Sequence, residues 1–208
     1  MAQAQRSFLP LTGAVFAVLF VASFFAGGDI PGADDPGGEV LSFYTDNQSV
    51  VMVGSVMVAI AAVFFLFFVG HVRSFLRAAE GSPGTLSAVA AGGGIVAATG
   101  LLIFAGIGFT LSESIEGFEP ATAQALNALN ANFFFPLAGG IATFLLATGL
   151  VAMRTKALPA WLAWLAIVIA VLAFSPLGFF AFLGSILWVL VVSIVLWTKQ
   201  SAPVAPPT

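Results

Sequence analysis

VVMVGSVMVAIAAVFFLFFVG, residues Val50 to Gly70, contains 21 residues and no charge, and His71, Arg73 and Arg77 follow it at once. At about 1.5 Å of rise per residue, such a run makes roughly 31 Å of helix, the thickness of a bilayer's hydrocarbon core. The stretch therefore predicts a membrane-spanning helix, and HVRSFLRAAEGSPG after it is expected to be helical at first and stopped by Gly81 and Pro83. The basic cluster at its end marks the cytoplasmic side, because Lys and Arg near helix ends are retained there. Every other segment is oriented against this one.

The composition agrees with that reading. Of 208 residues 60% are hydrophobic and 7% charged, with a mean hydropathy of +1.10, whereas soluble domains carry about 25% charged residues. Once the apolar runs are set aside, only short loops remain, so a single domain over 1–200 is expected, with a disordered Pro-rich tail over 201–208. The absence of cysteine excludes disulfides, thiolate metal sites, iron–sulfur clusters and covalent haem attachment. A lone His excludes haem held by two histidines. No cofactor and no nucleic-acid partner are expected.

Along the chain, apolar runs alternate with short polar ones, and six spans are expected, at about 8–27, 50–70, 85–112, 132–153, 159–174 and 179–197. The first is preceded by Arg6 and carries Pro10 in its opening turn, where proline is tolerated. A cleaved signal peptide is the alternative for this run, but its 20 apolar residues exceed the usual core of about 7 to 15. The loop from Gly28 to Gln48 is rich in Gly, Pro and acid. Within it Val40, Phe43 and Tyr44 recur at helical spacing, which fits either a short amphipathic helix on the membrane surface or an irregular lid with one half-buried turn.

The third run holds Gly92, Gly93, Gly94, Gly100, Gly106 and Gly108, so its surface is smooth and it is expected to sit centrally, packed on several sides. ATAQALNALNAN, residues 121–132, presents a polar stripe of Gln124, Asn127 and Asn130 before the fourth run, where Pro136 predicts a kink. Ser175 to Gly178 breaks the fifth run from the sixth. Trp161, Trp164 and Trp197 fall at the cytoplasmic ends of their runs, where indoles prefer the headgroup level.

Charge checks this layout independently. All six basic residues, Arg6, Arg73, Arg77, Arg154, Lys156 and Lys199, land on one side, and eight of the nine acids land on the other. The exception, Glu80, follows Arg77 by three residues and is placed to pair with it. The expected fold is therefore all-α, a polytopic six-span bundle with both termini cytoplasmic.

The loop ending EVLSFYTDN, the turn HVRSFLRAAEG, the lead-in ATAQALNALN and the hairpin ALPAWLAWLAIV together resemble a group of uncharacterised bacterial six-helix membrane proteins, a domain of unknown function. The resemblance covers most of the chain. It implies a multi-pass protein of a bacterial inner membrane, and it brings no activity and no site residues.

Chemistry-bearing residues are sparse. An ion-coupled transporter needs an ionisable group at mid-membrane depth, and no apolar run contains one. His71 lies at a helix end beside Arg73, an interfacial or structural position more than a proton relay. No HExxH, GxSxG or paired helical carboxylates occur, so no enzyme is expected. Asp34, Asp35 and Glu39 lack the ligand spacing of a dedicated calcium loop.

What remains is the end with the acidic loops, where Phe24, Phe25, Phe109, Phe133, Phe134, Phe135, Phe174, Phe179, Phe180 and Phe182 are expected at similar depth. Tyr44, Asn127, Asn130 and Asn132 cap that layer. An aromatic cavity with a few hydrogen-bonding groups at its mouth is how a lipid-like ligand is held. The plain alternative is Phe-rich packing with Asn residues capping helix starts. Two functional classes follow: a non-enzymatic bundle that stabilises another membrane protein or binds an amphiphile from the outer leaflet, and a small uniport-type carrier or channel. Three helices entering from each side would permit the inverted repeat of a carrier, although the two halves show no sequence match.

Overall fold

The computed structural model describes residues 7–27 and 30–200. Arg6 and the 201–208 tail lie outside the described residues. The described residues form helices joined by short loops, with no strand among them: α1 at Thr12–Gly27, α2 at Gly37–Asp46, α3 at Gln48–Glu80 and α4 at Thr85–Glu113. α5 follows at Pro120–Asn132, α6 at Phe134–Thr155, α7 at Ala160–Leu172 and α8 at Gly178–Gln200. Single 3-10 turns precede α1, at Leu9–Leu11, and α5, at Ile115–Gly117. Helix is the form an uncharged run must take in lipid, because every backbone N–H and C=O has to find its partner within the segment. α3, α4, the α5–α6 stretch Pro120–Thr155 and α8 are each long and apolar enough to cross a membrane, and this is a membrane protein. Large apolar side chains such as Val53, Ile60, Phe67, Ile95 and Leu187 stand exposed along their flanks, which suits a lipid solvent.

Six helices close into a ring: α1 packs on α3, α3 on α4, α4 on α6, α6 on α7, α7 on α8, and α8 returns to α1. Neighbours run antiparallel. Gly94 lies against Val69 and, further along both helices in opposite senses, Gly108 lies against Ser55. The tightest seam joins α4 to α6. A Cβ on Gly93 would stand 2.5 Å from the Phe144 backbone N and 2.9 Å from the Gly140 carbonyl, and one on Gly140 would strike the backbone of Ala97. α4 packs closely on α3 and α6, but it is one member of the ring and not the central helix that its glycines led one to expect: Ile95, Val96, Leu102 and Ile103 are exposed on its outer flank, and Gly92 and Gly106 face open space.

Hydroxyl and indole groups fasten the ring where it closes. The Ser193 hydroxyl accepts from the Ala14 N–H at 3.0 Å and donates to the Pro10 carbonyl, pinning the start of α1 to α8. Trp188 is buried in the interior and its indole N–H donates to the Leu162 carbonyl at 2.9 Å, tying α8 to α7. Lys199 donates to the Ala157 carbonyl at 2.5 Å and joins the ends of α6 and α8.

The helix that spans Val50 to Gly70 runs on to Glu80, 33 residues from Gln48, or about 50 Å, so its last three turns outreach a hydrocarbon core, and it stops at Gly81 as the sequence indicates. Three expectations are corrected. Glu80 does not pair with Arg77. Its carboxylate accepts from the N–H groups of Leu86 at 2.9 Å and Ser87 at 2.8 Å, donors that the first turn of α4 leaves without helical partners. The fourth run is not kinked at Pro136 but broken at Phe133, between α5 and α6. Proline acts one turn upstream: its ring clashes with the carbonyl of residue 132 and it offers that carbonyl no N–H, so the break falls where Pro136 reaches back. Last, α2 does form over the expected amphipathic segment, but it turns Val40 and Tyr44 into a small core with Val51, Leu111, Ile115 and Ala123 instead of offering them to a membrane surface.

Candidate functional site

The antiparallel ring places α2, α5 and the acids Asp34, Asp35, Glu39, Asp46, Glu113, Glu116 and Glu119 at one end, and Arg73, Arg77, Arg154, Lys156 and Lys199 at the other. At the acidic end the ring is not filled. A cavity of about 230 Å³ lies between α1, α3, α4, the α5–α6 break and α8. Its wall is apolar: Phe20 and Phe24 from α1, Val51 and Val58 from α3, Leu101 and Phe104 from α4, Phe133, Phe134 and Leu137 at the break and beyond, and Phe179 and Phe182 from α8. From Val51 to Val58 the wall descends about 10 Å at 1.5 Å per residue. The floor is aromatic. Phe182 stands 5.5 Å from Phe20 and 6.2 Å from Phe134, ring centre to centre, and below them Phe65, Phe144 and Trp188 are stacked edge to face at 5.7 and 6.1 Å. A void of about 10 Å³ lies beside Phe65 and Phe144.

The α5–α6 junction borders the space: Asn130 at the end of α5 and Phe134 at the start of α6 are four residues apart and share a face, and both line the hollow. Phe24 and Phe179 line the cavity while remaining about half exposed, at 49% and 58%, so the hollow reaches the apolar flank beside α1 and α8.

The expected site residues divide into three groups. Tyr44, Asn130, Phe133, Phe134 and Phe179 surround the cavity, together with Phe24 and Phe182. Asn127 does not line it. Its amide is occupied in a latch, accepting from the Tyr44 hydroxyl at 3.0 Å and donating to the carbonyls of Pro31 at 3.1 Å and Gly32 at 2.9 Å. Asn132 is exposed, and its amide donates back to the Ala128 carbonyl at 2.8 Å, closing the end of α5. Phe25, Phe109, Phe135, Phe174 and Phe180 are exposed on the flank and do not join the layer. Successive helical residues point about 100° apart, so Phe133, Phe134 and Phe135 could not all face one hollow.

The latch holds α2 and the 31–32 loop over the acidic end. Gly37 abuts the Pro120 carbonyl with no room for a side chain, which brings the starts of α2 and α5 together. The Tyr44 phenol is only 1% exposed, and desolvation pushes its pKa up to about 12, so it serves this lid as a neutral donor.

Two polar groups inside the cavity have no such employment. Asn130 is 6% exposed, and its Oδ1 is buried without a hydrogen-bond partner. The Ser55 hydroxyl, beside Gly108, also lines the hollow. Ser23 lines it too, but its hydroxyl is turned back to the Phe20 carbonyl at 2.7 Å. Sequence reasoning missed Ser55, Gly108, Phe20 and Phe104. A signal for the first existed, since Ser55 is a hydroxyl within the uncharged run of α3.

At the basic end His71, half-buried on α3, lines a shallow groove with Phe75, Leu196 and Lys199, and the Lys199 ammonium stands 6.0 Å over the Phe75 ring. Among the described residues no three His, Asp or Glu side chains converge as metal ligands would. No family model, no curated protein and no solved structure matches the chain.

Proposed function

We propose that this protein is a six-span, non-catalytic bundle whose acidic-end cavity receives the apolar part of an amphiphile from the adjoining leaflet. One observation carries the reading: a hollow of about 230 Å³ walled by phenylalanine, reaching the lipid-facing flank at Phe24 and Phe179 and holding an unsatisfied amide at Asn130. A structural aromatic layer would interdigitate and leave no such space, since packed interiors hold few voids larger than a water molecule. The stacked floor of Phe65, Phe144 and Trp188 weighs against the carrier or channel reading, because it leaves no path toward the basic end.

A cavity-filling variant tests the proposal. Val58 is buried in the cavity wall, and in Val58→Phe the new ring takes the place of the ligand's tail. Lipid retained by the purified protein, measured by mass spectrometry, is expected to fall several-fold while the melting temperature holds or rises. Unchanged retention would remove the cavity from consideration.

The proposed topology places both termini and the basic end in the cytoplasm and both α1 and α7 across the membrane, although α7 has only 13 residues, about 20 Å. The rule that basic loops stay inside supports it. The chain has no cysteine, so single cysteines report cleanly. Asp35→Cys and Glu116→Cys are expected to react with an impermeant thiol reagent on intact cells, and Lys156→Cys to react only after permeabilisation. Labelling of Lys156→Cys on intact cells would invert the assignment.

A further inference from the structure

We infer that the cavity selects an amphiphile with an uncharged, hydroxyl-bearing head on a single chain; this rests on the proposed function and names the ligand class of the same site. The Asn130 side chain lines the hollow and is 6% exposed, and its Oδ1 is an acceptor buried in the cavity wall and unbonded, which a turn of the terminal amide about its soft last torsion presents to a ligand. A buried acceptor without a donor is costly, and a ligand that supplies the donor recovers that cost on binding. The Ser55 hydroxyl lines the same space on α3, so a hydroxyl head has both an acceptor and a neighbouring hydroxyl to engage.

Charge is excluded by what surrounds these groups. The only ionisable side chain lining the cavity is Tyr44, whose hydroxyl is already donated to Asn127 at 3.0 Å. No Lys, Arg or His lines it, and the end of the bundle around it bears acids. A carboxylate or phosphate head would lose its hydration with no cation to replace it and would approach through a field of its own sign. A cationic head would meet no carboxylate within the hollow. The volume, about 230 Å³, lies below the range of about 300 to 1,000 Å³ typical of drug-sized ligands, so it suits one chain and not a diacyl body.

The experiment uses the full chain in nanodiscs of phosphatidylcholine, titrated with dodecanol, with its methyl ether, which accepts but cannot donate, and with dodecanoate. Binding is read by native mass spectrometry and by the shift in melting temperature. Dodecanol is expected to bind several-fold to about tenfold more tightly than the ether, the worth of one net hydrogen bond, and more tightly still than the carboxylate at neutral pH. In Asn130→Leu the alcohol and the ether should bind alike. Equal binding of all three probes to the unmodified chain, or a preference for the carboxylate, overturns the inference and leaves the proposed function standing. Binding of none overturns both. The comparison of probes on the unmodified chain decides the matter even if Asn130→Leu fails to fold.

Discussion

Gly140→Leu is expected to prevent the bundle from assembling, while Gly92→Leu and Gly106→Leu leave its melting temperature nearly unchanged. At Gly140 even a methyl group would strike the Ala97 backbone and stand 2.8 Å from the Gly93 carbonyl. Both belong to main chain, which cannot rotate aside as a side chain does. Overpacking where side chains can adjust costs about 1 to 3 kcal/mol. Here α6 has to back away from α4 along the whole seam, so the loss exceeds that range. Gly93→Leu, on the facing helix, should behave in the same way. Gly92 and Gly106 have nothing within 4 Å of a Cβ position, and Leu there projects outward, where a larger aliphatic side chain is well solvated by lipid and better suited to helix than glycine. Thermal unfolding in detergent, monitored by circular dichroism or by fluorescence of the buried Trp188, separates the two pairs. Equal losses at all four positions would mean that close backbone approach does not hold α4 to α6.

The same contrast shows how far the chain could be read without coordinates. The glycine content of α4 announced close helix contacts, and α3 and α6 supply them, but not the central position expected of it, since its outer flank with Gly92 and Gly106 is open. Which glycines form the seam depends on where α6 crosses, and that partner is set by α5 and its break, about 40 residues downstream. Runs of 20 or more uncharged residues were legible because lipid forces helix on them. An end was legible where a stop residue follows: α3 runs past Gly70 because His71, Arg73 and Arg77 are good enough helix formers to extend it into water, and it ends at the glycine that the sequence marks, Gly81, whose φ of +79° suits that residue.

The site was half legible for a related reason. Tyr44, Asn130, Phe133, Phe134 and Phe179 were found because aromatic and amide residues cluster at one depth, and depth is readable from helix register. Facing is not readable where a helix breaks. Asn127, Asn130 and Asn132 look equivalent in the sequence, yet one latches α2, one looks into the hollow and one closes the end of its own helix. Ser55 and Gly108 belong to the cavity only because α3 and α4 run antiparallel with those two residues opposed.

Asn127→Leu is expected to release the lid, and the single tyrosine of the chain is its reporter. The substitution keeps the bulk of the side chain but strips three partners at once: the Tyr44 hydroxyl and the carbonyls of Pro31 and Gly32. The buried Tyr44 hydroxyl left unpaired costs about 1 to 3 kcal/mol, and the Pro31 and Gly32 carbonyls, which lie nearer the surface, turn to water once the amide is gone, so α2 and the loop leave α5. The Tyr44 phenol shows the change directly. In the intact protein burial raises it from 10.0 to about 12, so the folded state holds its proton through a range in which the unfolded chain has lost it. Stability from this group is therefore whole below pH 10 and falls as pH rises from 10 toward 12, by about 3 kcal/mol for two units. Absorbance of the phenolate should titrate near 12 in the unmodified protein, and near 10 in Asn127→Leu, where water reaches the ring. Because α2 also covers the cavity, amphiphile exchange in Asn127→Leu should quicken while Asn130, Phe134 and Phe179 keep their places. A titration near 12 in both proteins would mean that the small core of Val40, Leu111 and Ile115 holds the lid without the latch.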